Sequence, residues 1–273
     1  MVKHNYPRAW DHAVSALESK RSQKPRMNGL TMIIDKGLAL LETRGLLEVS
    51  ADYIDYWKIA FGSSVLYPTS LLREKISLIR AHGIHVYPGG TLFELAAYQG
   101  QLREFYQRAK DLGFTAVEVS EGTVDLPATL RKAYIKRSIE EGFNVLSEVG
   151  KKDSQIIMEP DFAIEQIASD LETGSYKVII EGRDSGKGVG IFSDSGDVKV
   201  DLLDAILNGV VDLNDLIIEA PQTSQQNYLL TKLGANVNLG NIQPEDVTTL
   251  ESTRMGLRGD TLRNLLKTSK GVF

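Results

Sequence analysis

Four acids recur at one place in the sequence pattern. Glu118, Glu148, Glu181 and Glu219 each sit at or next to the end of a short β-rich run, in "AVEV", "LSEV", "VIIE" and "LIIE". Asp35 ends a similar run, "TMIID". Carboxylates from neighbouring strands hold a hard divalent cation with water in the remaining positions, and an oxygen-only donor set suits Mg²⁺. Asp35, Glu118, Glu181 and Glu219 are the candidate ligands. For any one of these acids an ion pair with a nearby Lys or Arg is an equal alternative. For the set that alternative is weaker, because many buried charges at one end of a fold are costly to keep without use.

Cations lie at the same run ends: Lys36, Lys58, Lys151, Lys152 and Arg183. Together they imply an anionic ligand. Gly62, Gly89, Gly90 and Gly240 offer backbone N–H groups that approach oxyanions closely. Asn238, in "VNLG", adds a side-chain amide. The expected binding set is Lys36, Lys58, Gly89, Gly90, Arg183, Asn238 and Gly240.

Other chemistries fit poorly. "EGRDSGKGVG" (181–190) has three residues between Gly182 and Gly186, and Gly188 follows Lys187 where a phosphate loop needs Ser or Thr. It reads as a basic lid or a plain flexible loop. The four histidines show no metal spacing, and Ser63 and Ser64 have no evident His and acid partners. With no cysteine there is no thiolate chemistry and no disulfide. A net charge of −5 gives no global basic field for nucleic acid. No apolar run is long enough to cross a membrane, and "MVKHNYPRAWDHAV" lacks a signal-peptide core. The expectation is a cytoplasmic protein.

The elements that must position these groups alternate. Strands are expected at 30–35, 53–60, 84–88, 115–120, 144–149, 177–182, 215–220 and 235–240. Amphipathic helices lie between them. "SLLREKISLIRAHG" places Leu71, Leu72, Ile76 and Ile79 on one face and stops at Gly83. Two further helices stop at Gly113 and Gly142. Eight β–α units in a chain of 273 residues predict a closed (β/α)8 barrel, with catalytic groups at the C-terminal strand tips. An open sheet would need a glycine-rich phosphate turn after its first strand, and none is present. Residues 1–27 read as an N-terminal extension, helical from Trp10, Val14 and Leu17, and 28–273 as the barrel domain. Exposed outer helices often make barrels associate, so a homo-oligomer is expected.

The ordered strings "MIIDKGL", "DYIDYWKIAFGSS", "VYPGGTLFE", "VEVSEGT", "LSEVGKK", "VIIEGRDSGKG", "VNLGNI" and "GLRGDT" resemble those of phosphosulfolactate synthases. The resemblance runs from about Leu30 to Thr261. It implies a TIM barrel that adds sulfite to phosphoenolpyruvate with Mg²⁺, giving (2R)-phospho-3-sulfolactate. In methanogens that reaction begins coenzyme M biosynthesis; in some bacteria it leads to sulfolactate. The family also includes stress-related plant members without a secure synthase role. A non-synthase member, or another Mg²⁺-dependent phospho-enol lyase, is the alternative.

For the implied reaction, a lysine would protonate C2 after sulfite adds at the methylene carbon. Glu148 would orient it or ligate the metal. Side chains alternate along a strand, so Lys152 shares a face with Glu148 and Lys151 does not, provided the chain stays extended through Gly150. The catalytic assignment is therefore Lys152 and Glu148, with Lys151 in reserve.

Overall fold

The computed structural model describes residues 20–268 and, ahead of them, residues 9, 10, 13, 14 and 16. Strands and helices alternate through most of the chain. The first half runs β1 (Thr31–Asp35), α1 (Leu40–Ser50), β2 (Tyr56–Ile59), α2 (Thr69–Arg80), β3 (His85–Pro88), α3 (Gly90–Tyr98), α4 (Leu102–Leu112) and β4 (Ala116–Val119). The second half runs α5 (Ala128–Glu140), β5 (Asn144–Val149), α6 (Pro160–Thr173), β6 (Lys177–Ile180), α7 (Val200–Gly209), β7 (Leu216–Glu219), α8 (Thr223–Leu233), β8 (Leu239–Ile242), α9 (Val247–Arg254) and α10 (Gly259–Thr268). The expected helix stops hold: α4 ends at Gly113, which takes the left-handed conformation at φ 95° and donates its N–H back to Ala109 O. Among the described residues no helix is long and apolar enough to cross a membrane.

All eight strands are parallel, in the order β3-β2-β1-β8-β7-β6-β5-β4, which is a (β/α)8 barrel. Between β3 and β4 the described residues form no strand ladder. Two bonds join the strands near their starts, Thr115 N–H to Val86 O and Val86 N–H to Thr115 Oγ1. At their ends a side chain does the joining: Gly90 N–H donates to Glu118 Oε1 at 2.8 Å.

Period-two alternation splits the core into two layers. Outward residues such as Ile33, Trp57, Val86, Val117 and Ile218 pack against the helices. Inward residues Met32, Tyr56, Tyr87, Ala116, Leu146, Ile179 and Ile217 fill the barrel. Two residues beyond five of these, on the same face, stand Lys58, Glu118, Glu148, Glu181 and Glu219, all buried. The barrel is thus apolar through its lower layers and charged in its top layer.

β8 is the one strand the pattern misplaces. It begins at Leu239, so Asn236 and Asn238 precede it and lie at the floor. Asn238 Oδ1 accepts from Leu30 N–H, and its Nδ2 donates to Asn214 O and Leu216 O. Its amide stands in for ladder bonds at the start of the strand. Asn238 is therefore at the opposite end of the barrel from the other candidate binding groups. The floor is sealed by irregular chain: Arg21 pairs with Glu251, Arg26 with Asp55, and Lys24 Nζ donates to Ala51 O. Of the residues behind the expected N-terminal helix, Trp10 and Val14 are exposed, and Leu17 lies outside the described residues.

Candidate active site

Acids from three strands converge on Lys58. Its Nζ lies 3.0 Å from Glu118 Oε2, 3.2 Å from Glu219 Oε1 and 3.5 Å from Glu148 Oε2. A second ammonium enters from the rim. Lys152 Nζ is 3.4 Å from Glu148 Oε1, 3.7 Å from Glu94 Oε1 and 3.8 Å from Glu181 Oε2. Five buried carboxylates (Glu94, Glu118, Glu148, Glu181 and Glu219) thus face two ammonium groups. That leaves three formal negative charges in excess.

The excess appears in the proton affinities. Burial pushes the Glu118 carboxyl up to about 7 against the pull of Lys58. Burial, and then Glu148 and Glu219, lift Glu181 well above the ordinary carboxylate range. Burial works to raise Glu148 too, but Lys152 and Lys58 hold it down at about 2. Burial disfavours the charge on Lys58, yet Glu118 and Glu219 outweigh it and keep that ammonium well above its usual value. Lys152 is held up in the same way, against burial, by Glu148 and Glu181. One carboxylate of the ring stays charged while two neighbours favour their protons, which marks a site with too few cations.

Glu148, Glu181 and Glu219 each offer one oxygen, all within 4.8 Å of one another. Both Glu148 oxygens and Glu181 Oε2 lack a well-formed hydrogen bond among the described residues. These buried, underused oxygens fit a hard divalent cation such as Mg²⁺. Glu118 is turned toward Lys58 and Gly90 instead.

Asp35 is not in this group. It faces outward, where its carboxylate accepts from Trp57 Nε1, Gly37 N–H and Leu38 N–H and pairs with Lys75 Nζ at 2.5 Å. The reason is parity: Ile34, not Asp35, shares the inner face with Lys58, its register partner on β2. Lys151 is also outside. Its Nζ donates to Glu121 O and Asp125 Oδ1, on the far side of the β4 turn from Glu148.

The remaining candidates line the mouth. Lys36 pairs with Asp184 at 3.1 Å, both partly exposed, so this pair bridges the loops after β1 and β6. Arg183 is exposed and left-handed at φ 59°; its N–H donates to Glu181 Oε1 and its carbonyl accepts from Asn241 Nδ2. The glycines do other work than expected. Gly89 N–H bonds Ile59 O, and Gly90 N–H bonds Glu118. A Cβ on Gly90 would overlap Glu118 Oε1 and Ser120 Oγ, and one on Gly240 would overlap Met32. These positions need glycine for close approach of side chains. The loop 181–199 is tied down by Gln225, whose Nε2 donates to Gly186 O and Gly196 O.

Two buried groups escaped the sequence reading. Glu94, on α3, carries four hydrogen bonds from the turn after β4. Arg131, on α5, pairs with Asp170 of α6 and donates to Glu148 O from behind β5. Each is a charge on an otherwise apolar helix face, Glu94 beside Phe93 and Ala96, Arg131 in line with Ile135. That signal was legible and marks a charge with a buried partner.

Comparison with known proteins agrees with this geometry. Residues 19–260 match the family described as "ComA: (2R)-phospho-3-sulfolactate synthase". A phosphosulfolactate synthase of Methanocaldococcus jannaschii is 46% identical over 237 residues, 85% of this chain and 93% of that one. One of Methanothermobacter thermautotrophicus is 42% identical over 253 residues, 92% and 98% of the two chains. One of Bacillus subtilis is 41% identical over 243 residues, 88% and 95%. An acid-ringed barrel mouth and a match along nearly the whole length point the same way: this chain belongs to the phosphosulfolactate synthase family of enzymes.

Proposed function

We propose that the protein adds sulfite to phosphoenolpyruvate in a Mg²⁺-dependent reaction, giving (2R)-phospho-3-sulfolactate. The observation that carries this reading is the buried trio Glu148, Glu181 and Glu219, the first two with underused oxygens, set between two ammonium groups at the C-terminal end of a barrel. Both substrates are anions and sulfite is already a good nucleophile. The protein has to gather charge and deliver one proton, with no need to activate a nucleophile.

The sulfur lone pair of sulfite forms a C–S bond at the methylene carbon. The C=C π pair then moves toward C2 and the carboxylate. C2 takes a proton from one face, and no group leaves. Mg²⁺, held by Glu148, Glu181 and Glu219, supplies Lewis acidity toward the substrate's carboxylate oxygens when bound. Lys152 is the proton donor. It is a quarter exposed at the rim, whereas Lys58 is almost fully enclosed by three carboxylates. Glu148 orients Lys152, and Lys58 offsets the mutual repulsion of Glu118, Glu148 and Glu219. Lys36 and Arg183 hold the phosphate and sulfite oxyanions at the mouth. The Lys36–Asp184 pair is exposed enough for an incoming anion to compete with Asp184 for the ammonium. The reading places the enzyme in the cytoplasm.

The test is product identity. Purified protein with phosphoenolpyruvate, sulfite and Mg²⁺ should convert the ³¹P resonance of the substrate to that of phosphosulfolactate, and should leave it unchanged when sulfite is omitted. Conversion without sulfite would point to a different phospho-enol reaction.

A further inference from the structure

Lys152 has a positional problem that Lys58 does not. Lys58 sits inside a strand and is held by the β1–β2–β3 ladders. Lys152 lies past Gly150, where φ is 129° and the strand has ended. The sheet does not fix it. A proton donor must nonetheless be held within a fraction of an ångström of its target.

The turn after β4 supplies what the sheet lacks. Lys152 N–H donates to Gly122 O at 3.0 Å. The lysine stem lies across Gly122 so closely that a Cβ there would come within 2.9 Å of Cδ and Cε. That turn is in turn clamped by one side chain. Glu94 Oε1 accepts from Ser120 Oγ at 2.5 Å and Gly122 N–H at 3.1 Å. Glu94 Oε2 accepts from Thr123 N–H at 2.7 Å and Val124 N–H at 3.1 Å. Three successive backbone N–H groups converge on a carboxylate, an anion nest filled by the chain's own acid. The same Oε1 lies 3.7 Å from Lys152 Nζ. Glu94 is buried, and the mechanism above gives it no task.

We propose that Glu94 is a positioning residue for Lys152, acting through the Ser120–Val124 turn on the lysine backbone and stem. The inference rests on the reading of Lys152 as the proton donor. Glu94 itself stays behind the turn and touches no substrate.

The discriminating variant is Glu94→Gln. It keeps the volume, but an amide has one oxygen where four donors need two, so at least one pair of donors loses its acceptor. Turnover of phosphoenolpyruvate and sulfite is measured together with amide hydrogen exchange. The expected result is a kcat about 100-fold lower, the effect of a misplacement near one ångström, with KM for phosphoenolpyruvate little changed and exchange accelerated at Gly122, Thr123 and Val124. Ser120→Ala is the second variant. It removes one donor from Glu94 and none from Lys152, and should lower kcat about fivefold, the effect of one ordinary hydrogen bond.

An unchanged kcat in Glu94→Gln, or a fall in kcat with no change in exchange at 122–124, overturns the inference while leaving the synthase reading intact. If Glu94→Gln does not fold, Ser120→Ala decides: unchanged kcat and exchange overturn the inference. A wild-type protein without turnover overturns the synthase reading, and the inference with it.

Discussion

A lysine that donates a proton must be charged when substrate arrives and must reach it. Lys152 meets both conditions. Glu148 and Glu181 hold it protonated against burial, and its side chain stays a quarter exposed at the rim. Lys151, one residue away, is spent on Glu121 O and Asp125. Lys152→Ala should therefore lower kcat by about 100- to 10,000-fold, the range of a lost general acid, with the fold intact by circular dichroism. Lys151→Ala should stay within a few-fold of wild type in the same assay. Equal losses in the two would break the assignment. Strand parity favoured Lys152 in the sequence on condition that the strand stay extended through Gly150, but β5 ends at Val149 and Gly150 takes φ 129°, so it is the turn after β4 that brings Lys152 to Glu148. The anchoring by Glu94 was not legible, since it depends on a turn that brings residues 120–124 over a helix beginning at Gly90.

At the scale of elements, the same parity rule explains where the ligand set was misread. Asp35 ends its strand as the four glutamates do, but it stands one residue out of phase. Its carboxylate serves the β1–α2 packing through Lys75 and Trp57. A lysine on the apolar face of α2, between Leu72 and Ile76, was the sequence clue that a buried acid lay opposite. Lys75→Met should cost about 3 kcal/mol of stability in denaturant unfolding, because it leaves a buried carboxylate without its counter-charge. Turnover per folded molecule should not change. A large loss of Mg²⁺ affinity in this variant would return Asp35 to the metal site. β8 was misplaced for a related reason. "ANVNLG" alternates like a strand, but its asparagines replace ladder bonds at the floor, and the strand proper holds Gly240, where only a hydrogen fits beside Met32.

Across the whole molecule, charge is sorted along the barrel axis. The floor is closed by paired groups, Arg21 with Glu251 and Arg26 with Asp55. The middle is apolar. The mouth carries five buried carboxylates on two ammonium groups, and it lies beside the gap where β3 and β4 part and Glu118 bridges them. Barrel class and strand tips were legible from eight repeats of one pattern. The charge imbalance was not, because it depends on which tip residues turn inward. We propose that a divalent cation held by Glu148, Glu181 and Glu219 balances this charge. The most direct test is turnover of phosphoenolpyruvate and sulfite by metal-stripped protein, before and after Mg²⁺ is returned. A metal-completed ring gives no product from the stripped protein and full recovery on adding Mg²⁺, with recovery requiring far more Mg²⁺ in Glu181→Gln. Undiminished turnover in the stripped protein would contradict it.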